Sequence, residues 1–166
     1  MTPTDNGADV MSLGNLDEGS WAKYSCVDLS QGVSAIDADY ATGSNFGGTL
    51  DIHMDKLDGP LLGTIQTSST SAPDIYTTLD TNLSSATVAT TGGTSIPATS
   101  VTGIHDFYVV AHLTTVSSYV ANLLSLKVQP NKSFKGSVLL FYCMASTIRV
   151  MVPAVRPPVQ MNMYLI

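Results

Sequence analysis

Residues 47–65, GGTLDIHMDKLDGPLLGTI, restrict what this chain can fold into more than any other stretch. Leu50, Ile52 and Met54 alternate with Thr49, Asp51, His53 and Asp55, a period of two that puts one set on a buried face and the other toward water or ligand. A helix would scatter the same apolar residues around its circumference. Asp58-Gly59-Pro60 then supplies a turn, and residues 61–65 return as a second strand.

The rest of the chain before residue 128 repeats this pattern. Short alternating runs are separated by Gly, Ser, Thr, Asp or Pro, and none has a helical period. Strands are predicted at 22–29, 32–41, 49–55, 61–66, 76–83, 104–113 and 119–128, enough for two packed sheets, so the fold class is all-β, a β-sandwich. With 166 residues the chain has room for one core rather than two. Residues 84–100, SSATVATTGGTSIPATS, are of low complexity and read as a loop insertion or an irregular edge hairpin. Charged residues make up only 12% of the chain. Hydroxyl side chains and glycine dominate instead, unlike a helical cytosolic enzyme.

The formal charge of −6 is unevenly spread. All thirteen Asp and Glu lie at or before Asp106, whereas Lys127, Lys132, Lys135, Arg149 and Arg156, five of the seven basic residues, follow it. An acidic body disfavours nucleic acid, whose binding rests on Lys and Arg neutralising phosphates. In segment 129–166 the apolar run 137–148 is shorter than the roughly 20 residues a bilayer span requires and is closed by Arg149 and Pro153, so no membrane role is expected. That segment reads either as a terminal strand packed on the sandwich or as a non-native extension. Cys26 and Cys143 fall on opposite sides of the composition break and are read as free thiols. The N-terminus shows no signal-peptide pattern.

Three segments, in order and at compatible spacing, carry a resemblance to the family 6 carbohydrate-binding modules. NLDEGSWAKYSCVDL at 15–29 is similar to the family's turn, aromatic residue and first strand. The hairpin at 47–65 resembles its Gly-Gly strand and Gly-Pro-Leu-Ile-Gly-Thr return. VTGIHDFYVV at 101–110 resembles its Thr-Gly-x-His-Asp-x-Tyr-Leu-Val strand. The resemblance implies a jelly-roll β-sandwich over residues 1–128, starting inside the family's N-terminal region, with 129–166 as an atypical apolar and basic tail. It further implies an extracellular, non-catalytic module that holds a linked glycoside hydrolase on a polysaccharide such as xylan or another β-glycan.

Pyranose rings present an apolar C–H face edged by hydroxyls, so a flat aromatic side chain stacks on the face while polar groups read the edge. Modules of this family clamp a sugar between two aromatics at the loop end of the sandwich, beside an Asn near the start of the last strand. Trp21 matches the first aromatic and Asn122 the amide. The second aromatic is replaced by Pro73, leaving Tyr119 or Tyr76 as substitutes, or a shift of binding to the sheet face that some members use as a second cleft. Read without the family, Trp21 is a ring covering the sandwich edge, and Asn122 satisfies backbone groups in a turn. Tyr24 and Tyr108 are assigned to packing.

A structural calcium is expected of the family, but its carboxylates, on an N-terminal Glu-x-Glu strand and at the end of the last strand, are missing here. Asp51, His53 and Asp55 share a strand face, which suits either a metal or acid/base pair or a plain polar surface; no nucleophile motif or second His cluster accompanies them, and no catalytic residue is assigned. His105 and Asp106 are read as a hydrogen-bonded structural pair. The alternative to carbohydrate binding is a degenerate structural or interaction sandwich that keeps the fold and has lost the sugar site.

Overall fold

The computed structural model describes residues 4–5, 8–9, 12–43, 46–90, 92–114, 120–131 and 149–151. Two sheets account for most of them. One has five strands: β4 (Trp21–Asp28), β6 (Gly48–Met54), β7 (Leu61–Gln66), β11 (Ile104–Leu113) and β13 (Arg149–Met151), in the order β13-β4-β11-β6-β7. The other has four: β3 (Leu13–Leu16), β5 (Ala35–Ala41), β8 (Thr77–Asn82) and β12 (Ala121–Gln129), in the order β3-β12-β5-β8. All pairings are antiparallel. Two small ladders, β1 (Thr4–Asp5) with β2 (Ala8–Asp9) and β9 (Thr87–Ala89) with β10 (Ser95–Pro97), stand apart from them.

The alternation seen at 47–65 sets the inner face of the five-stranded sheet. Leu50, Ile52 and Met54 on β6 stand directly opposite Ala111, Val109 and Phe107 on β11, and all six are buried. Across from them the four-stranded sheet contributes Leu13, Leu16, Ile36, Ala38, Tyr40, Ala121 and Leu123, and the two faces form a single apolar cluster. Gly63 faces this core, where an added Cβ would come within 2.7 Å of the Leu83 side chain; glycine lets Leu83 close on β7.

The β4 strand carries a bulge that its sequence period hides. Ser25 and Cys26 together oppose the single residue Asp106 on β11, and Cys26 has a φ of 59°. Ala22 and Tyr24 pack inward before the bulge; the extra residue resets the alternation so that Val27 and Leu29 face the core. Without it, Asp28 would point inward. The β3 strand has the same device, with Gly14 and Asn15 opposite Asn122 and Asn15 at a φ of 54°.

All seven expected strands form, two of them with the expected bounds and the others with ends shifted by at most three residues. The β3 strand was not expected because its bulge breaks the period of two over only four residues, Leu-Gly-Asn-Leu. Within 84–100, Thr87–Ala89 and Ser95–Pro97 pair antiparallel, a 3₁₀ turn follows at Ala98–Ser100, and Val88 and Ala98 are buried in the core. The last long strand, β12, ends at Gln129, and in the tail Arg149–Met151 pairs with β4 along the sheet edge. Cys143 and the apolar run 137–148 lie outside the described residues.

Candidate functional site

The outer face of the five-stranded sheet gathers the residues best suited to a sugar ring. Because Ala22 points into the core, Trp21 and Lys23 point out; likewise Tyr108, Val110 and His112 alternate with the buried Phe107, Val109 and Ala111. Register places Trp21 opposite Val110, and Lys23 opposite Tyr108, with His53 on the far side of Tyr108. The half-buried Trp21 and Tyr108 rings lie 5.8 Å apart at an interplanar angle of 43°, a tilted aromatic pair. The Lys23 ammonium sits 5.4 Å from the centre of the Tyr108 ring.

Beside this pair runs a row of hydrogen-bonding groups. The turn Asp17-Glu18-Gly19-Ser20 is closed by the Ser20 N–H on the Asp17 carbonyl at 3.0 Å, with Gly19 at a φ of 73°. It delivers Glu18 to the sheet face just ahead of Trp21. One Glu18 oxygen lies 3.0 Å from His112 Nδ1, and the other accepts the Leu113 N–H at 2.6 Å. That backbone bond first, and His112 second, hold the Glu18 carboxyl below its usual range. His112 Nε2 is 3.8 Å from Asp51, whose other oxygen accepts the Thr64 hydroxyl at 2.7 Å. An aromatic surface thus adjoins a chain of carboxylates, imidazole and hydroxyl from four segments.

Asn122 belongs elsewhere. It stands on the outer face of the four-stranded sheet, where its Oδ1 accepts the Asn15 N–H at 2.8 Å and its Nδ2 donates to the Pro73 carbonyl at 3.0 Å. Pro73 and Phe46 both lie against Gly43 at this end of the sandwich. Trp21 on β4 and Asn122 on β12, expected in one loop-end clamp, stand on different sheets, because β4 pairs with β11 while β12 pairs with β3 and β5. Tyr119 lies outside the described residues. Sequence reasoning left out Glu18, His112 and Thr64, and it placed Tyr108 in packing; the outward parity of Tyr108 and His112 relative to Phe107 was the signal available.

The polar residues of the opening hairpin disperse. Asp51 joins His112 and Thr64, while His53 Nδ1 pairs with the Gly59 carbonyl at 2.8 Å. Asp55, at a φ of 66°, turns away after β6 to meet His105 Nδ1 at 3.0 Å. Among the described residues no group of three or more His, Cys, Asp or Glu could hold a metal ion. His105 and Asp106 are not bonded to one another, a correction to the expected pair. Neighbours on a strand point to opposite sides, so His105 meets Asp55 and Thr102 while Asp106 meets Lys23 and the Cys26 N–H. At the end of β12 the Gln129 side-chain amide donates to Asp37 at 2.5 Å.

Relatives of known character agree with this architecture. The family model for the carbohydrate binding module (family 6) matches residues 2–130. Endo-1,4-beta-xylanase A of Thermoclostridium stercorarium is 31% identical over 98 residues, 59% of this chain, which spans only 16% of that enzyme's length. A family 6 carbohydrate-binding module from Clostridium cellulolyticum, solved with xylose, superposes with a TM-score of 0.55 at 25% identity, covering 78% of this chain and 85% of the other. A β-1,3-glucan-binding module from Bacillus halodurans gives 0.58 at 23% identity, covering 77% and 81%. With the family pattern running from the first small ladder through β12 over a two-sheet framework of the same shape, the chain belongs to carbohydrate-binding module family 6, a family of non-catalytic β-sandwiches that bind carbohydrate.

Proposed function

We propose that this module binds a β-linked polysaccharide on the outer face of its five-stranded sheet, with Trp21 stacking on a pyranose ring and Glu18, His112 and Asp51 reading hydroxyls at its edge. The observation that carries this reading is the Trp21–Tyr108 pair beside the Glu18–His112–Asp51–Thr64 row on one exposed face. Stacking supplies apolar area on a rigid surface, and hydrogen bonds from already oriented groups add little ordering cost. The candidate glycans are xylan and β-1,3-glucan, the ligand classes named for the Thermoclostridium xylanase and the Bacillus module. The role is to hold a linked glycoside hydrolase on its substrate outside the cell. The chain's 16% share of the xylanase length is consistent with one module among several.

Affinity electrophoresis against xylan, laminarin, lichenan and agar tests this. Retardation is expected on at least one gel, unchanged by EDTA, and Trp21→Ala removes it while the melting temperature stays within a few degrees. No retardation on any gel would favour the alternative, a sandwich that has lost its sugar site. That alternative draws on Asn122, whose amide is engaged by two backbone groups with Pro73 beside it.

A further inference from the structure

Trp21 is a useful binding surface only if its ring is held at one angle, and the groups that hold it lie beneath and beside it rather than on any sugar. Tyr108 is the ring it leans on. Lys23, cross-strand from Tyr108, places its ammonium over that ring, and the same ammonium lies 2.6 Å from Asp106. Asp106 is itself fixed, because its other oxygen accepts the Cys26 N–H at 3.0 Å, the donor freed by the β4 bulge. A carboxylate with one oxygen on the backbone and the other on an ammonium has little freedom left. The chain of contacts therefore runs from the bulge through Asp106, Lys23 and Tyr108 to Trp21.

We infer that Asp106, acting through Lys23, is a positioning residue for the aromatic platform, setting the Tyr108 ring against which Trp21 packs. This rests on the reading of that face as the glycan site. Lys23 first, and the Cys26 N–H second, keep the Asp106 carboxyl below its usual range, while Asp106 holds the Lys23 ammonium above its own. An exposed ion pair adds little to stability. The value of this one lies in orientation: a lysine free to leave the Tyr108 ring lets both rings sample other rotamers, and that freedom must be given up again on binding.

The test uses the single tryptophan of the chain as its reporter. Asp106→Asn keeps an oxygen for the Cys26 N–H but removes the charge that anchors Lys23; Lys23→Met keeps the stem and removes the ammonium. Both variants are expected to shift Trp21 emission and raise its acrylamide quenching in the free protein. Each should also weaken binding of xylohexaose or laminarihexaose about fivefold or more, the double variant being no worse than either single one, and Lys23→Arg should restore both signals. Emission and affinity within twofold of wild type in both variants would overturn the inference. Should Asp106→Asn fail to fold, Lys23→Met decides alone. Should wild type bind neither oligosaccharide, the binding reading fails, while the emission and quenching shifts still decide whether Asp106 sets the platform.

Discussion

Asp39 illustrates how a charged side chain stays on this mostly uncharged surface. It sits mid-strand on the outer face of the four-stranded sheet, 17% exposed, and accepts the Ser125 hydroxyl at 2.5 Å, the Thr78 hydroxyl at 2.5 Å and the Lys127 ammonium at 3.0 Å. Desolvation pushes its carboxyl up, and the bonds from Ser125, Thr78 and Lys127 together outweigh it, so the net shift is downward. The three donors come from β12 and β8, the neighbours of β5 on either side. Asp39→Ala is expected to cost about 2 kcal/mol, the range for hydrogen bonds to a charged group, and Asp39→Asn less, since an amide oxygen still accepts the hydroxyls. Urea unfolding midpoints decide it. None of this was legible from Asp37-Ala38-Asp39 alone, which reads simply as a polar face.

Strands in this protein are joined by alternation and corrected by bulges. Both sheets use one device: a residue in the left-handed region, opposite a side-chain oxygen that captures its N–H. Asn15 meets Asn122, and Cys26 meets Asp106. Asparagine tolerates positive φ and cysteine does not, so Cys26 is the strained member of the pair. Cys26→Val is expected to destabilise by about 2 kcal/mol, because a β-branched residue resists that conformation, whereas Cys26→Gly should hold or raise stability by under about 1 kcal/mol. Thermal melts of the two variants separate strain from packing, since a pure packing role would make Gly the worse substitution. The device also gives Asn122 a structural role at its position: its Oδ1 closes the β3 bulge by accepting the Asn15 N–H. Residues 84–100 follow the same logic from the other side. Their small side chains look like tolerated filler, yet Val88 and Ala98 are core residues whose neighbours are distant in the chain.

Across the molecule, the titrating groups define the pH window in which the sandwich holds. Glu18, Asp39 and Asp106 all have lowered carboxyl pKa values in the fold. A depressed carboxylate contributes stability that is complete above its unfolded value, about 4, and is lost as pH falls through the folded one. Tyr24 works at the other end: burial pushes its hydroxyl up to about 12, so its contribution is complete below about pH 10 and is lost as pH rises toward 12. Melting temperature should therefore fall at both extremes of pH, and Asp39→Asn should flatten the acid limb; a fall of equal slope in wild type and variant would contradict this assignment.

What could be read from the amino-acid order was the class of fold, because a period of two and turn residues at Gly59-Pro60 are local properties that need no partner strand to be recognised; the family followed from the resemblance of three segments, at 15–29, 47–65 and 101–110. The core faces of β6 and β11 follow from the same parity. The site did not, for a physical reason: Trp21, Tyr108, His112, Glu18 and Asp51 come from β4, β11, β6 and a turn, and only the register of three paired strands decides which of them meet. That register in turn depends on the Cys26 bulge, one residue inserted where nothing in the local pattern announces it. Parity is written into each strand, whereas neighbours across a sheet are chosen by hydrogen-bond pairing and core packing, so the aromatic face took shape only when the sheets assembled.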